Sequence, residues 1–389
     1  MEIIIHRGER QIGGNIIEIR SEYTRIILDV GLDLDENNNK ELPKVEGLFD
    51  RKGFDAVFIS HTHSDHLGLV YDIHPDIPIY LGEKGYGIIK VSDNYKNTIS
   101  FMPTGFLKHK QKMQINDMTI TSYLCDHSAY DSYMILVECI GERILYTGDF
   151  RGHGRKPFKW TLKELPKYVD VLICEGTTLS RAKADMQSET DLENEAVKQF
   201  KEAKGPVFIL MSSMNIDRIV TMYRAAKRSN RIFLEDLYMA EITSSIGQSI
   251  PNPSTFEDVK TFVTRMYPSE HPRRKLFLKY NNRVGINSIK HMNFVMCVRT
   301  SMLSYLRNLN KNMSFENGLL VYSFWSGYRK NPEIIEFLSE CENMGLKIVT
   351  MHTSGHADED TILKLIDSIK PNKVKIVHTE IDKFDLEAH

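Results

Sequence analysis

Metal-binding side chains are concentrated in one short segment, where His61, His63, Asp65 and His66 occupy four of six positions. Neutral imidazole and carboxylate are donors that zinc, manganese and iron accept. The apolar run of residues 56–60 directly before them predicts a strand that ends at this cluster. Four donors this close together are difficult to arrange around one metal. Two neighbouring metals are easier to accommodate, with the first two histidines on one and the other pair on the second. A solvated histidine-rich loop is the alternative.

Three more donors each follow a stretch of sequence that predicts a buried strand. They are His127 after residues 118–124, Asp149 after a hairpin with arms 132–139 and 143–146 around the turn Gly141-Glu142, and His378 after residues 373–377. Taken singly, a histidine near a strand end is more often structural. Because all three repeat one pattern, a donor at the end of a strand, we interpret them as parts of one site.

The order of these motifs along the chain resembles that of the metallo-β-lactamase fold. Asp29, within the segment of residues 25–31, is similar to the early aspartate of that superfamily. The resemblance implies that this carboxylate orients the metal-bound histidines and fixes their tautomers. A turn residue before Gly31 is the alternative interpretation of Asp29.

Three further motifs narrow the resemblance to the β-CASP nucleases, the family of ribonuclease J and of the messenger-RNA cleavage endonuclease. Glu175 in residues 174–178 resembles the family's acidic motif A. His356 in residues 353–357 resembles the motif B histidine, and His378 in residues 377–380 resembles motif C. Thr379 follows this last histidine where the family often has glycine, which weakens the match to any one subfamily.

The resemblance implies an α/β protein with a metallo-β-lactamase αβ/βα sandwich and an inserted β-CASP α/β cap domain. The expected limits are residues 1–180 for the first part of the metallo-β-lactamase domain, 181–345 for the cap and 346–389 for the returning segment. Within the cap, apolar runs at residues 207–211, 232–234 and 319–322 alternate with the helical spacing of residues 216–227. Such alternation predicts a parallel sheet.

By resemblance, the site holds two divalent metal ions, with zinc preferred and manganese as the alternative. The ligands implied are His61, His63 and His127 for the first metal, Asp65, His66 and His378 for the second, and Asp149 as the bridge. The reaction implied is hydrolysis of a phosphodiester by water activated between the two metals, with Asp65 counted among the catalytic residues. His356 is the implied general acid for the leaving oxygen, held and kept basic by Glu175.

Two segments of the expected cap are candidates for contact with nucleic acid. In residues 211–218, Ser213 and Arg218 could meet a phosphate at a helix start, although a helix cap explains the polar residues equally well. Residues 260–311 carry eleven basic residues and one acid, Glu270, and the basic run there is Arg273, Arg274 and Lys275. A local excess of this kind is typical of a surface that meets phosphates, and a solvated face is the alternative.

Aromatic residues are interleaved with this basic stretch. They are Phe262, Tyr267, Phe277, Tyr280 and Phe294. Some could stack on unpaired bases, but we expect most of them to belong to the core.

The whole chain of 389 residues is nearly neutral, with 50 basic and 52 acidic residues, so its overall charge favours no class of partner. No stretch resembles a signal peptide or reaches membrane-spanning length. The five cysteines form no CxxC pair, and the odd count suits reduced thiols. We therefore expect a cytoplasmic protein that acts away from membranes on single-stranded nucleic acid, RNA in preference to DNA. Its oligomeric state and its endonuclease or exonuclease mode stay open.

Two other classes of function are compatible with parts of the sequence. The same fold could serve a small-molecule metallo-hydrolase that acts on a thioester, lactone or lactam. The long insertion and its basic stretch argue against that reading. A binding module without catalysis should show a broken ligand set, and none of the seven expected ligand positions is broken.

Overall fold

The computed structural model describes residues 1–34, 42–181 and 186–381. The chain forms two compact units. The first unit consists of Met1–Met186 together with Gly355–His389, and the second unit consists of Gln187–Ser354. The assignment of residues 181–345 as a functional cap stays a prediction.

The secondary structure alternates between strands and helices along most of the chain. The strands are β1 Glu2–Arg7, β2 Ile16–Arg20, β3 Arg25–Leu28, β4 Ala56–Phe58, β5 Ile79–Gly82, β6 Gly105–Leu107, β7 Lys112–Ile115, β8 Met118–Leu124, β9 Tyr133–Cys139, β10 Glu142–Tyr146, β11 Val171–Glu175, β12 Val207–Leu210, β13 Ile232–Asp236, β14 Val259–Phe262, β15 Phe294–Val298, β16 Gly318–Tyr322, β17 Leu346–Thr350 and β18 Lys373–Val377. The α-helices are α1 Ser64–Leu67, α2 Glu83–Lys96, α3 Phe158–Glu164, α4 Glu189–Glu202, α5 Ile216–Arg228, α6 Leu237–Ile246, α7 Pro272–Lys279, α8 Ile286–Ile289, α9 Leu303–Asn312, α10 Pro332–Asn343 and α11 Glu359–Ile369.

The first unit contains two six-stranded mixed sheets. One has the order β1-β2-β3-β4-β5-β6, antiparallel from β1 to β3 and parallel from β3 onwards. The other has the order β18-β11-β10-β9-β8-β7, in which β18, β11 and β10 are parallel and the remaining strands are antiparallel. Because β10, β11 and β18 run in the same direction, their carboxyl ends lie at one edge of the sheet.

The two sheets of the first unit pack face to face. Ile26 and Phe58 of the first sheet share one buried cluster with Ile135, Val137 and Ile144 of the second. The outer face of the second sheet is covered by helices: α11 buries an apolar stripe at residues 362, 365 and 369, which has helical spacing. On the first sheet, α2 contacts β5. These layers form the αβ/βα sandwich expected from the sequence.

The hairpin formed by β9 and β10 differs slightly from the sequence-based expectation. Cys139 is paired with Glu142, so the two turn residues are Ile140 and Gly141. Both have positive φ, 49° and 78°, as a type I′ turn requires. The prediction that the turn would be Gly141-Glu142 was therefore wrong by one residue, because Glu142 already belongs to the strand.

The second unit is built on one fully parallel sheet with the order β14-β13-β15-β12-β16-β17. Strands buried on both faces read as continuous apolar runs, as β12 and β15 do. On one face the sheet packs against α9 and α10 through a common buried cluster. The parallel sheet predicted from the alternating pattern is confirmed, and the helix expected over residues 216–227 is α5.

Side chains at the starts of the helices explain several of their boundaries. Ser188 and Asp191 form a reciprocal capping box at the start of α4. The side chain of Asn215 accepts a hydrogen bond from the amide of Arg218 at the start of α5. Among the described residues, no helix combines the length and the apolar character needed to cross a membrane.

Candidate metal centre

The candidate ligands lie at the ends of strands in the first unit. His61 follows β4, and Asp65 lies in the short helix α1 directly after it. His127 follows β8, Asp149 follows β10 and His378 follows β18. Because these strand ends converge, side chains that are more than 300 residues apart in sequence become neighbours, as His378 and Asp65 do.

The first group of donors consists of His61, His63 and His127, whose donor atoms lie within 4.8 Å of one another. Nε2 of His127 is 3.1 Å from Nδ1 of His63. At its other nitrogen, Nδ1, His127 donates to the carbonyl oxygen of Gly355 at 2.6 Å, which leaves Nε2 without its proton and available as a donor. The three imidazoles therefore form a group that could hold a metal ion.

The second group of donors consists of Asp65, His66, Asp149 and His378, again within 4.8 Å of one another. Nε2 of His378 is 3.1 Å from Oδ2 of Asp65, and Nε2 of His66 is 3.2 Å from Oδ2 of Asp149. These four side chains are buried. Two imidazoles and two carboxylates in this geometry suit a divalent metal such as zinc or manganese.

Asp149 lies between the two groups. Its Oδ2 atom is 3.8 Å from Nε2 of His61 in the first group, and 3.2 Å and 3.9 Å from Nε2 of His66 and His378 in the second. This position is the one that a bridging carboxylate requires.

The donor set fits divalent cations. Among the described residues, Nε2 of His61, Nε2 of His66 and both carboxylate oxygens of Asp149 are buried and make no hydrogen bond of acceptable geometry. A buried polar atom left unsatisfied costs roughly 1–3 kcal/mol, and four in one pocket are rare in a stable core. Cations held between these atoms would satisfy all four. The centre is therefore a site for divalent metal.

The protonation states agree with this assignment. Burial, together with the neighbouring His66, lowers the pKa of His61 well below its usual range, and burial with His61 does the same to the pKa of His127. Both imidazoles are therefore neutral donors. Burial alone would lower the pKa of His66, but Asp149 and Asp29 hold it well above its usual range, so this part of the pocket favours positive charge.

Asp29 organises the residues around the donors. Its backbone has a positive φ of 60°, a conformation that aspartate tolerates better than most residues. Oδ1 accepts from the amide of Ser60 at 2.6 Å, and Oδ2 accepts from the Ser60 hydroxyl at 2.7 Å, from Nδ1 of His66 at 2.7 Å and from the Tyr146 hydroxyl at 2.6 Å. The carboxylate therefore keeps the proton of His66 on Nδ1, which leaves Nε2 to face Asp149.

Glu175 and His356 form a second charged pair beside the donors. Nδ1 of His356 is 3.1 Å from Oε2 of Glu175 and 3.4 Å from Oδ2 of Asp149. Burial acts to lower the pKa of His356, but the charge of Glu175, followed by that of Asp149, raises it to about 9. The two carboxylates therefore favour the protonated form of this imidazole. Its side chain is 22% exposed, whereas the side chain of Asp149 is fully buried.

Thr177 connects this pair to the second donor group. Its hydroxyl donates to Oε2 of Glu175 at 2.6 Å and accepts from Nδ1 of His378 at 2.7 Å. His378 itself has a positive φ of 54°, a strained backbone conformation that tertiary contacts must maintain. The strain and the threonine contact together fix the orientation of this imidazole.

Three residues of this arrangement were not identified from the sequence: Ser60, Tyr146 and Thr177. Ser60 and Thr177 stand next to or inside motifs that were recognised, so a search for hydroxyls adjacent to ligand positions would have found them. Tyr146 and Asp29 are 117 positions apart, and no local pattern connects them.

In the second unit, the candidate phosphate contacts are largely engaged inside the protein. Arg218 is 1% exposed, and its guanidinium donates to both oxygens of Glu189, to the Ser323 hydroxyl and to the carbonyl oxygen of Met351. The Ser213 hydroxyl accepts from Arg299 at 3.1 Å. A phosphate contact by either residue stays a prediction, and for Arg218 it would require these bonds to open.

The basic stretch is partly neutralised. Lys275 pairs with Glu270 at 3.0 Å, and the side chain of Arg274 donates to the carbonyl oxygen of Tyr267 at 3.1 Å. The hydroxyl of that tyrosine is 3.5 Å from Nη1 of Arg273. Three of the five interleaved aromatic residues are buried in the core, as expected for most of them: Phe262, Tyr280 and Phe294.

Two family models match the chain. The Beta-lactamase superfamily domain matches residues 24–211, and the Zn-dependent metallo-hydrolase RNA specificity domain matches residues 343–388. The first match includes Asp29 and the donors up to Asp149, and the second includes His356 and His378. The two models therefore cover all the residues of the candidate centre.

Curated relatives have similar names but low identity. The "Ribonuclease J" of Sinorhizobium meliloti is 21% identical over 87% of this chain, and the chain covers 60% of its length. The "Probable RNase MJ4" of Methanocaldococcus jannaschii is 22% identical over 98% of this chain and 93% of its own length. The "Ribonuclease J 2" of Streptococcus pyogenes is 20% identical over 100% of this chain and 71% of its own length.

The fold also has a solved counterpart. A crystal structure of a protein of unknown function from Enterococcus faecalis V583 has a TM-score of 0.79 and 20% identity, and the match covers 97% of this chain and 94% of that one. This likeness concerns the fold alone. The two matched domains, the relatives named ribonuclease J and the donor set together show that the chain resembles the β-CASP family of metallo-β-lactamase-fold nucleases.

Proposed function

We propose that this chain is a metal-dependent ribonuclease that hydrolyses phosphodiester bonds in single-stranded RNA and uses two zinc ions. The observation that carries the proposal is the position of Asp149, whose buried carboxylate lies between two groups of donors and has no hydrogen bond among the described residues. The proposed ligands are His61, His63 and His127 for one ion, and Asp65, His66 and His378 for the other, with Asp149 shared.

RNA is supported as the substrate by the relatives and by the carboxyl-terminal domain. The curated relatives carry the name ribonuclease, and the domain matched at residues 343–388 is described as an RNA specificity domain. The ribonuclease activity and the substrate are transferred to this chain only as a proposal, since the chain spans about 60% of the Sinorhizobium protein.

The donor set determines the chemistry of the centre. Divalent metals held there would supply Lewis acidity, which lowers the pKa of a water molecule and polarises a phosphoryl oxygen. Only two of the seven ligands, Asp65 and Asp149, are anionic. Two dications held by this set keep a net positive charge, which favours the anionic phosphate of the substrate.

His356 provides the proton in the proposed reaction. Water adds to phosphorus, the bond from phosphorus to the leaving oxygen breaks, and His356 gives its proton to that oxygen. Glu175 holds the imidazole through Nδ1, so Nε2 is the nitrogen that donates. Because Glu175 and Asp149 raise the pKa of His356 to about 9, the imidazole regains a proton from water at neutral pH after each turnover.

The cytoplasm is the proposed compartment. All five cysteines are free and buried. Burial raises the pKa of Cys125, Cys174 and Cys297 above its usual range, so these thiols are unreactive packing residues. A protein with this set of thiols suits a reducing environment.

The test is cleavage of end-labelled single-stranded RNA and DNA by the zinc-reconstituted full chain, resolved by length over time. We expect metal-dependent cutting of RNA, with short products from one end or internal bands revealing the mode. Asp149→Ala and His61→Ala should lose both activity and bound metal. His356→Ala should lose activity while its metal content stays at the wild-type level.

A matched control is His74→Ala, which removes a histidine of the first unit outside the donor groups and should leave both readouts unchanged. Equal metal loss in the His356 and His61 variants would remove His356 from its role as an acid. Turnover of a thioester or lactone, with no cutting of either polymer, would contradict the ribonuclease proposal and favour a small-molecule hydrolase.

A further inference from the structure

The loop after β16 exposes two large aromatic side chains. Trp325 is 46% exposed and Tyr328 is 54% exposed, although aromatic residues of this size are usually mostly buried. Their ring centroids are 5.5 Å apart and the ring planes are nearly perpendicular, at 86°. We call residues 325–328 the aromatic loop. It lies within the second unit and outside every residue assigned to the metal centre.

The aromatic loop is held in a defined conformation. The carbonyl oxygen of Trp325 accepts from the Tyr322 hydroxyl at 3.0 Å and from the amide of Tyr328 at 3.1 Å. A Cβ atom on Gly327 would lie only 2.2 Å from the indole ring, so the indole lies flat on the glycine backbone and any larger residue would displace it. The ring is therefore positioned before a ligand binds, which reduces the entropy lost on binding.

The two residues directly after the aromatic loop are positively charged. Arg329 and Lys330 end the 3₁₀ helix Ser326–Lys330, both are exposed, and no acid occurs in residues 322–332. The guanidinium of Arg329 lies 4.5 Å from the ring centroid of Tyr322 and donates to the Thr350 hydroxyl at 2.7 Å. The segment therefore combines aromatic faces with positive charge.

The aromatic loop also lies at a place in the fold where parallel-sheet proteins commonly bind ligands. The aromatic loop follows the carboxyl end of β16, and the amide of Ser323 there donates to the carbonyl oxygen of Leu210 at the end of the neighbouring β12. In open parallel sheets, ligands are bound outside the carboxyl ends of the strands. In the sheet, β12 lies between β15 and β16. Both neighbours come later in the chain than β12, and they lie on opposite sides of it.

We propose that the aromatic loop is a stacking platform for unpaired bases of single-stranded RNA, with Arg329 and Lys330 beside the phosphates. This rests on the proposed ribonuclease function, because the ligand is a segment of the same substrate. An indole or phenol face stacks on any base, whereas the bases of a duplex are already stacked on one another. Two cations without an acid favour a phosphate backbone over an apolar surface of a second copy of this chain.

The chain is suited to a direct optical test, since Trp160 and Trp325 are its two tryptophans. In a Trp160→Phe variant of the zinc-loaded full chain, Trp325 is the only tryptophan left, so all tryptophan fluorescence comes from this residue. The probes are an uncleavable phosphorothioate oligouridylate and an abasic phosphodiester chain of the same length. We expect the oligouridylate to quench the Trp325 emission and the abasic chain to leave it unchanged.

Affinity gives the second readout. Replacing Trp325 by alanine should weaken oligouridylate binding roughly 5- to 100-fold, and Trp325→Phe should retain most of the affinity because a ring remains. In cleavage assays, Trp325→Ala should raise KM by a similar factor and leave kcat within about 2-fold. A variant that only disturbed the fold would lower kcat as well and would not be rescued by phenylalanine.

Contrary results would overturn the platform. One is quenching of the Trp325 emission by the abasic chain to the same extent as by the oligouridylate. Another is unchanged oligouridylate affinity in Trp325→Ala. The third is an emission shift that depends only on protein concentration, together with a dimer in sedimentation, which would make a second copy of the chain the ligand of the aromatic loop. The two proposals fail separately. RNA cleavage that is insensitive to Trp325→Ala removes the platform and keeps the nuclease, whereas base-dependent quenching in a protein that cuts no RNA keeps the platform and removes the nuclease.

Discussion

The substitution Asp29→Asn tests how the protein prepares its metal ligands. The carboxylate of Asp29 accepts four hydrogen bonds, from the amide and hydroxyl of Ser60, from Nδ1 of His66 and from the hydroxyl of Tyr146. Asparagine has the same shape and tolerates the positive φ of 60° at this position, so the backbone should be preserved. Only the number of acceptors changes.

An amide provides one acceptor oxygen, and its nitrogen can only donate. When the oxygen keeps the bond to the Ser60 amide, the NH₂ group faces the remaining three donors. The two hydroxyls can rotate and accept, but Nδ1 of His66 can accept only after its proton moves to Nε2. That shift would block Nε2, the atom that lies 3.2 Å from Asp149 and that is proposed to bind the metal.

The expected loss is about 10- to 100-fold in zinc affinity, the range known for residues that orient metal-bound histidines, or roughly 1.4–2.7 kcal/mol. Zinc affinity can be measured by competition with a coloured chelator, using the purified full chain. The matched control is Tyr146→Phe, which removes one of the four donors and leaves the contact between Asp29 and His66. It should lower the free energy of unfolding by about 1–3 kcal/mol and change zinc affinity by less than about 3-fold.

Equal zinc affinity in Asp29→Asn and Tyr146→Phe would refute the reasoning. It would mean that the tautomer of His66 is fixed by other contacts, and that Asp29 serves the stability of the fold only.

Further predictions concern the acid, a buried ion pair and the basic stretch. The pKa of His356 is raised to about 9, and the proposed acid must carry its proton to act. The kcat measured at saturating RNA should therefore stay constant below about pH 9 and fall as the pH rises through that value. In His356→Ala this alkaline fall should disappear, and kcat should drop roughly 100-fold or more. Arg218→Met removes the guanidinium that pairs with the buried carboxylate of Glu189, so it should lower the free energy of unfolding in urea by about 3–5 kcal/mol, and Arg218→Met/Glu189→Leu should recover most of the loss. Alanine at three neighbouring cations should weaken RNA binding and flatten its dependence on log salt by up to about 2 units; these are Arg273, Arg274 and Lys275.

Each of these predictions has a contrary result. An alkaline fall that survives in His356→Ala would assign it to another group. A double variant of Arg218 and Glu189 that is no more stable than the single one would show that the loss comes from the change in side-chain volume and not from removing the positive charge beside the Glu189 carboxylate. An unchanged salt slope would identify the basic run as a solvated face.

The fold and the placement of the candidate ligands at strand ends were accessible from the sequence because their signals are local. An apolar run followed by a donor identifies the end of a buried strand, and this pattern holds at His127 after β8 and at His378 after β18. The parallel sheet of the second unit follows from strands that alternate with helices. In these cases the residues that decide the structure are close together in the chain.

The arrangement around the ligands depended on contacts that no local pattern contains. The bond between Thr177 and His378 joins residues 201 positions apart, and that between Tyr146 and Asp29 spans 117. The sequence also gave no indication that Arg218 is buried against Glu189, because an arginine at a helix start is equally typical of a phosphate contact. Burial and partner choice are properties of the assembled fold.

The pairing of β18 with β11 also determines when the proposed site can be assembled during synthesis of the chain. Val171 is paired with Lys373, so the second sheet gains this edge strand only after the second unit has been made. At the ribosomal rate of about 5–20 residues per second, the roughly 180 residues between Glu175 and His356 take on the order of 10–40 s. During that interval the nascent chain has Asp149 but neither His356 nor His378, so the proposed site can be completed only after the second unit has been synthesised.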